Sequence, residues 1–414
     1  MRTKKRTAVG EWVEIRSKEE ILRTLDPNGR LDGMPFMPEM FQFCGQRFRV
    51  YKSAHKTCDP DYRSRRISRA VHLETRCDGQ AHGGCQAGCL LFWKEAWLKS
   101  LGRDISQDAT VTDATPGNDK GNVSTVPCTE LAVWNGVRKQ TSDAQDESPT
   151  YVCQATQVQY EEPLRWWDIR QYVEDYLSGN ITFLHLFSGL IYSGYYNLSQ
   201  AGIGVGPAMR WFYDLACPLW RGSKWPRKTG SIPEGQPTPT LALNLQPGEL
   251  VRVKSHEQIL QTINTGSRNR GLWWDAELVP YCGKTYRVAN RIHNVIDEKS
   301  GKMVHMKSPS ILLDTVICQA RYSPCRMFCP RSTYAFWREI WLERTPAPSC
   351  SEKTLPAASE SGPVCSSDTL EKDGGVAGRN QLCLAPTDSR LAREERLSSR
   401  GSLASKVLKP WRRL

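Results

Sequence analysis

Residues 77–89 read Cys77-Asp-Gly-Gln-Ala-His-Gly-Gly-Cys85-Gln-Ala-Gly-Cys89, and Trp93-Lys-Glu-Ala-Trp97 follows shortly after them. A second version of this pattern reads Cys318-Gln-Ala-Arg-Tyr-Ser-Pro-Cys325-Arg-Met-Phe-Cys329, with Trp337-Arg-Glu-Ile-Trp341 after it. Each version has three closely spaced cysteines followed by a pair of tryptophans. The repetition indicates that the chain contains one cysteine-rich module twice.

The match between the two copies extends well upstream of these cysteines. Equivalent residues lie 238 positions apart over a long stretch. They are Ser17 and Ser255, Glu39 and Glu277, Cys44 and Cys282, and Arg49 and Arg287. Chance would not keep a constant spacing over that distance, so the spacing indicates an internal duplication.

Local patterns predict the secondary structure of each copy. A short strand leads into Ser17, which stands three residues before Glu20 in the spacing of a helical capping box. Ser255 and Gln258 repeat that spacing in the second copy. Alternating apolar and polar residues then predict several short strands. We therefore expect a mixed α+β fold with two homologous small β-rich domains, each an SH3-like or partly open barrel closed by an aromatic helix.

Composition divides the rest of the chain. The expected parts are a first Cys-rich β domain (1–103), a mostly disordered linker (104–150), a helical insert (151–222), a proline-rich linker (223–247), a second Cys-rich β domain (248–345) and a disordered basic tail (346–414). Within the insert, one face of a predicted helix carries the apolar side chains of Trp166, Ile169, Val173 and Leu177. We expect the insert to pack against one or both repeats.

Four cysteines occupy equivalent places in each copy. They are Cys44, Cys77, Cys85 and Cys89 in the first copy, and Cys282, Cys318, Cys325 and Cys329 in the second. Four thiolates are a ligand set of structural zinc, so one site per copy would give about two zinc ions per chain. An iron–sulfur cluster takes the same four thiolates. Buried cysteines without a metal are the third alternative, and the sequence leaves all three open.

Several residues fit the duplication less simply. His55 and His293 are also 238 positions apart, and either could replace a cysteine ligand. Histidines so far from the main cluster are more often surface or core residues. Ile296 stands at the register position of Cys58. Three residues have no evident counterpart in the second copy, namely Cys58, His72 and His82.

The sequence assigns no catalytic residue. Glu95 and Glu339, each between two tryptophans, are acid–base candidates, but on a helix they would point away from the indoles. Glu39 and Glu277 lack a companion base. The chain has no Walker loop, no nucleophile elbow and no His-Glu-x-x-His motif. These observations favour binding over catalysis.

Net charge and cysteine content indicate the kind of partner and the cellular compartment. The formal charge of +12 favours a protein or anionic polymer as partner, and nucleic acid is a further alternative. The apolar run Ile181 to Leu198 contains too many polar residues to be expected to span a membrane. No apolar run follows the basic N-terminal residues, and 15 cysteines suit a reducing compartment, so we expect a cytoplasmic location.

The expected function is therefore that of a metal-binding module, present twice, which acts as a binding or scaffold protein. An iron–sulfur redox or accessory biosynthetic protein is the competing class. Nucleic-acid binding is the third.

Overall fold

The computed structural model describes residues 7–102, 128–139, 148–201, 204–217 and 224–345. The described chain is a mixed structure with many strands and several helices, and it includes a curled half-barrel sheet. Most of the predicted linker and all of the predicted basic tail (346–414) lie outside the described residues.

The first β unit is built on a five-stranded antiparallel sheet of order β8-β7-β4-β1-β9. Its elements are β1 (Trp12–Ile15), α1 (Lys18–Leu22), β2 (Arg30–Leu31), β3 (Met34–Pro35), a 3-10 turn (Pro38–Phe43), β4 (Arg47–Ser53), β5 (Lys56–Cys58), β6 (Ser64–Arg66), β7 (Ala70–Arg76), β8 (Leu90–Lys94), a 3-10 turn (Glu95–Trp97) and β9 (Leu98–Gly102). β2 pairs with β3, and β5 pairs with β6, in separate two-stranded sheets.

The helical insert follows the first unit. The described part of the predicted linker already contains one helix, α2 (Glu130–Asn135). The described helices of the insert are α3 (Gln154–Gln157), α4 (Arg170–Leu177), α5 (Phe183–Ser199) and α6 (Gly206–Ala216), with a 3-10 turn at Val158–Tyr160. In the part of the chain that the structure describes, no helix is both long enough and apolar enough to cross a membrane.

The second β unit has a four-stranded sheet of order β14-β13-β10-β15. Its elements are β10 (Leu250–Val253), α7 (His256–Leu260), β11 (Arg268–Asn269), β12 (Leu272–Trp273), a 3-10 turn (Ala276–Tyr281), β13 (Thr285–Ile296), β14 (Met303–Leu313), 3-10 turns at Pro324–Arg326 and Glu339–Trp341, and β15 (Leu342–Arg344).

The two units form their central strand pair in the same register. In the first, β1 pairs antiparallel with β4, and Trp12 lies opposite Arg49. In the second, β10 pairs with β13, and Leu250 lies opposite Arg287. Both positions are shifted by the same 238 residues that relate the copies in sequence.

Both predicted capping boxes are confirmed. The Ser17 hydroxyl accepts a hydrogen bond from the backbone N–H of Glu20, and the Glu20 carboxylate accepts one from the backbone N–H of Ser17. Ser255 and Gln258 make the same reciprocal pair at the start of α7. These contacts satisfy N–H groups that have no partner within the helix.

The predicted closing helices are wrong. Trp93 lies on strand β8 opposite Val71, and Trp97 lies in the 3-10 turn between β8 and β9. In the second unit, Trp337 forms an isolated bridge with Ile311 instead of lying in a helix. A strand followed by a turn buries both indoles as completely as a helix face would, so tryptophans four residues apart do not distinguish the two structures.

The tryptophans form the centre of each core. Trp93 and Trp97 meet the ring of Phe36 edge-on, with ring centroids 6.3 and 5.2 Å apart. In the second core Trp274 occupies the place of Phe36, and its ring lies 5.8 Å from that of Trp337 and 5.1 Å from that of Trp341. Edge-on packing of this kind adds to the stabilisation from apolar burial.

Helix α4 packs against the repeats through its polar side, contrary to the prediction from its apolar pattern. Ile169, Val173 and Leu177 are exposed, whereas Asp175 is fully buried. The Asp175 carboxylate accepts a hydrogen bond of 2.6 Å from Nζ of Lys56, which is also fully buried. Lys56 donates further to the carbonyl oxygen of Met327, so this ammonium group joins the first repeat, the insert and the second repeat.

Removal of the Asp175 carboxylate should strongly destabilise the protein. Asp175→Ala leaves Lys56 charged, buried and without its counter-ion, which should lower the free energy of unfolding by about 3–5 kcal/mol. Asp168→Ala, which breaks the solvent-exposed contact with Arg170, should cost much less. Urea denaturation followed by tryptophan fluorescence measures both, and equal losses would contradict the prediction.

Candidate metal centre

The first cysteine loop leaves the sheet at the end of β7 and returns at β8. The backbone N–H of Cys77 donates to the carbonyl oxygen of Cys89 at 2.9 Å, which closes the loop at its base. Gly79 has a φ of +70°, and a Cβ there would lie 1.9 Å from the carbonyl oxygen of Cys85. A glycine is therefore required where the loop turns back on itself.

This loop forms one wall of a small cavity that opens to the surface. Four cysteines line the cavity, namely Cys77, Cys85, Cys89 and Cys153. The first three were predicted ligands, whereas Cys153 comes from the start of the insert and was not predicted. Cys44, the fourth predicted ligand, does not line the cavity and packs instead at the edge of the first core.

The walls of the cavity are mainly apolar. Leu90, Leu91 and Phe92 of β8 contribute, and Ile296 reaches in from the second repeat. Burial raises the pKa of Cys89 to about 12 and that of Cys153 to about 11. It also raises the pKa of Cys77 above the usual range for a thiol. Thiolates in such a place need a nearby cation, which a bound metal ion supplies.

Glu39, Cys77 and His82 form a candidate metal-binding group at one side of the cavity. One ligand atom of each residue lies within 4.8 Å of the ligand atoms of the other two. Oε2 of Glu39 is buried and has no hydrogen-bond partner among the described residues. Oε1 accepts a hydrogen bond from the backbone N–H of Ala81 at 3.1 Å and lies 2.6 Å from Nδ1 of His82.

The hydrogen bonds of His82 limit its use as a metal ligand. Its Nε2 lies 3.1 Å from the carbonyl oxygen of Val152, and its Nδ1 lies 2.6 Å from Oε1 of Glu39. A metal ion at either ring nitrogen would have to displace one of these contacts. The same contacts hold the cysteine loop in place.

Glu277 repeats the contact between the glutamate and the cysteine loop in the second unit. Its carboxylate accepts hydrogen bonds from the backbone N–H groups of Arg321 (2.8 Å) and Tyr322 (2.6 Å). Burial, with Asp275 nearby, raises the pKa of Glu277. Glu39 and Glu277 therefore share one role, because each fixes a cysteine loop by accepting hydrogen bonds from its backbone.

The cysteines of the second loop lie at the interface between the repeats. Cys329 and Ala320 are buried together with Cys58 of the first repeat, and Cys318 packs against this group. Cys325 is half-buried, and its carbonyl oxygen accepts a hydrogen bond of 2.6 Å from the Ser64 hydroxyl. Cys282, like Cys44, packs at the edge of its own core.

A contact between two thiols stands out in this group. Cys58 and Cys329 are buried side by side, and the interaction of their thiols, together with Arg331 and Arg326, lowers the pKa of Cys58. The same contact and burial raise the pKa of Cys329 well above the usual value. Of this pair, only Cys329 belonged to the predicted ligand set.

The two histidines considered as ligands lie elsewhere. Nε2 of His55 is 3.2 Å from Oδ1 of Asp175, so His55 belongs to the network around Lys56. Burial lowers the pKa of His55, which favours the neutral ring. His293 is exposed on β13. Neither is a member of the group formed by Glu39, Cys77 and His82.

The two glutamates considered as acid–base candidates make structural contacts. Glu339 is buried and accepts hydrogen bonds from the backbone N–H groups of Leu243 (2.8 Å) and Leu245 (3.1 Å). Glu95 accepts a hydrogen bond from the backbone N–H of Thr7 at 2.9 Å. Both therefore anchor segments that flank the repeats.

No known protein family and no curated protein matches this sequence.

Replacement of Glu277 tests the structural role of this carboxylate. Glu277→Gln places an amide NH₂ against one of two backbone donors, so an N–H group of Arg321 or Tyr322 loses its acceptor. The free energy of unfolding should fall by about 1–3 kcal/mol. Glu343→Gln, at an exposed position on β15, is the matched control and should change stability by less than about 0.5 kcal/mol. Chemical denaturation checks both, and an unchanged midpoint for Glu277→Gln would contradict the role.

Proposed function

We propose that the protein is an iron–sulfur protein whose first centre occupies the cavity of the first repeat, with Cys77, Cys85, Cys89 and Cys153 as ligands. The observation that carries the proposal is the lining of one cavity by four thiols. Three come from a single loop and one from a separate element, and a cubane cluster takes four cysteines at variable spacing.

The separation of the thiols argues against a single zinc ion bound by four cysteines alone. Zinc binds thiolate sulfur at about 2.3 Å, so a tetrahedral site brings its sulfur atoms to about 3.8 Å from one another. Among the described residues, no three cysteine sulfurs all lie within 4.8 Å of one another. A cluster spreads its ligands over several iron atoms and therefore suits thiols that are farther apart.

The surroundings of the cavity suit a cluster with a tuned reduction potential. Apolar side chains limit the access of water, and Arg331 places a buried positive charge at the wall. Burial, charge and hydrogen bonding are the means by which proteins set the potential of such a cluster. The proposed role is therefore redox or accessory, and the zinc-based scaffold predicted from sequence becomes the alternative outcome of the metal analysis.

The finer features of the fold belong to the same proposal. Two copies of a small SH3-like or partly open barrel would each carry a cysteine loop, and the shared register of the central strand pairs supports this. A cytoplasmic location would keep the thiols reduced until the centre is assembled. A protein or anionic polymer as partner stays a prediction from the charge of +12.

Metal content tests the proposal. Anaerobically purified protein should be brown and contain iron and labile sulfide in equal amounts, with zinc well below one ion per chain. Cys153→Ser should remove the iron and sulfide of one cluster, about four atoms of each for a cubane cluster. Cys128→Ser changes a buried cysteine that does not line the cavity, so it is the matched control and should keep the wild-type content.

Two results would contradict the proposal. One is a colourless protein that binds zinc. The other is an iron content in Cys153→Ser equal to that of Cys128→Ser.

A further inference from the structure

Residues at one equivalent position of the two repeats cross the interface, and each packs against the cysteine loop of the other repeat. Cys58 ends strand β5 of the first repeat and packs against Cys318 and Cys329 of the second repeat. Ile296 lies 238 positions later, ends strand β13 and packs against Cys85 of the first repeat. The backbone N–H of Ile296 also donates to Sγ of Cys85 at 3.4 Å. Each repeat therefore places this residue against the cysteine loop of the other.

The fourth thiol has a different origin at each loop. At the first loop the exchanged residue is Ile296, which cannot be a ligand, and Cys153 of the insert lines the cavity there. At the second loop the exchanged residue is itself a cysteine. Each loop thus has three cysteines of its own and one from outside.

The contacts around Cys58 bring it into the second loop. Cys58 is only 7% exposed, and it packs in one buried group with Cys329 and Cys318. Nη1 of Arg331, two residues after Cys329, donates to the carbonyl oxygen of Cys58 at 3.1 Å. Ser64, the cross-strand partner of Cys58, donates its hydroxyl to the carbonyl oxygen of Cys325 at 2.6 Å. The β5–β6 pair is therefore attached to both ends of the segment from Cys325 to Arg331.

We propose that Cys58, Cys318, Cys325 and Cys329 bind a second metal centre that bridges the two repeats. The inference rests on the proposed function, because the centre would be of the same iron–sulfur class as the one in the cavity. Cys58 replaces Cys282 in the ligand set expected from the sequence, since Cys282 packs at the edge of its own core. The second centre can therefore form only when the two repeats are docked.

The two centres would be close neighbours. Arg331 lines the cavity of the first repeat and also binds the carbonyl group of Cys58. One guanidinium group thus contacts the surroundings of both centres. Its positive charge would partly compensate the negative charge of thiolate-bound clusters on either side.

The test compares iron and sulfide content across variants of the full-length chain. Wild-type protein should hold two clusters, and Cys58→Ser and Cys153→Ser should each hold one. The variant that combines Cys58→Ser and Cys153→Ser should hold no cluster. Cys282→Ser is the matched control, because Cys282 was predicted as a ligand but packs at the edge of its own core. This variant should hold two clusters. Retention of both clusters by Cys58→Ser, with one lost in Cys153→Ser, would overturn the inference and leave the proposed function intact.

A disulfide between Cys58 and Cys329 is the competing use of the thiol pair. Purified wild-type protein is denatured without reductant, alkylated with iodoacetamide and digested for mass spectrometry. The proposal expects both cysteines to be alkylated. A linked pair of peptides containing Cys58 and Cys329 would overturn it.

A gain-of-function variant distinguishes the loss of a ligand from the loss of iron through misfolding. Ile296→Cys in the Cys153→Ser background places a thiol beside the first loop from the position equivalent to Cys58, and it should restore the cluster in the cavity of the first repeat. Recovery would support the exchange of equivalent residues between the repeats. Loss of all iron in Cys58→Ser, together with no recovery in this double variant, would overturn the proposal.

Discussion

A buried guanidinium group holds the two repeats in the arrangement on which both thiol clusters depend. Arg331 is 4% exposed, and its Nη1 and Nη2 lie 3.0 and 2.5 Å from the two carboxylate oxygens of Glu298. It also binds the carbonyl group of Cys58 and lines the cavity of the first repeat. A buried charge is strongly unfavourable unless its partners are in place. The packing that satisfies Arg331 therefore fixes the first repeat against the second cysteine loop.

The helical insert contributes to the same arrangement at two points. Its Asp175 neutralises Lys56, whose ammonium group also binds the carbonyl oxygen of Met327 in the second loop. Its Cys153 adds a fourth thiol to the cavity. The insert is thus a source of one buried charge and one candidate ligand, and its exposed apolar residues Ile169, Val173 and Leu177 take no part in either role.

The two cysteine loops are held by the same kind of contact but with different partners. Glu39 and Glu277 each hold a cysteine loop through its backbone, but the first loop also uses His82, and the second uses two backbone donors. A carboxylate has enough acceptor sites for either arrangement. Because both carboxylates accept hydrogen bonds from the backbone of a cysteine loop, an acidic residue recurs at Glu39 and Glu277 although no basic partner recurs with it.

The sequence by itself determined the features that depend on neighbouring residues. The capping box of Ser17 and Glu20 and the three cysteines of each loop could be predicted because local spacing decides them. Helical and extended structure at Trp93 could not be told apart, since both bury an indole. Only the tertiary structure brought Cys153 and Cys58 to the loops, because docking of separate elements decides those contacts and leaves no signal in sequence spacing.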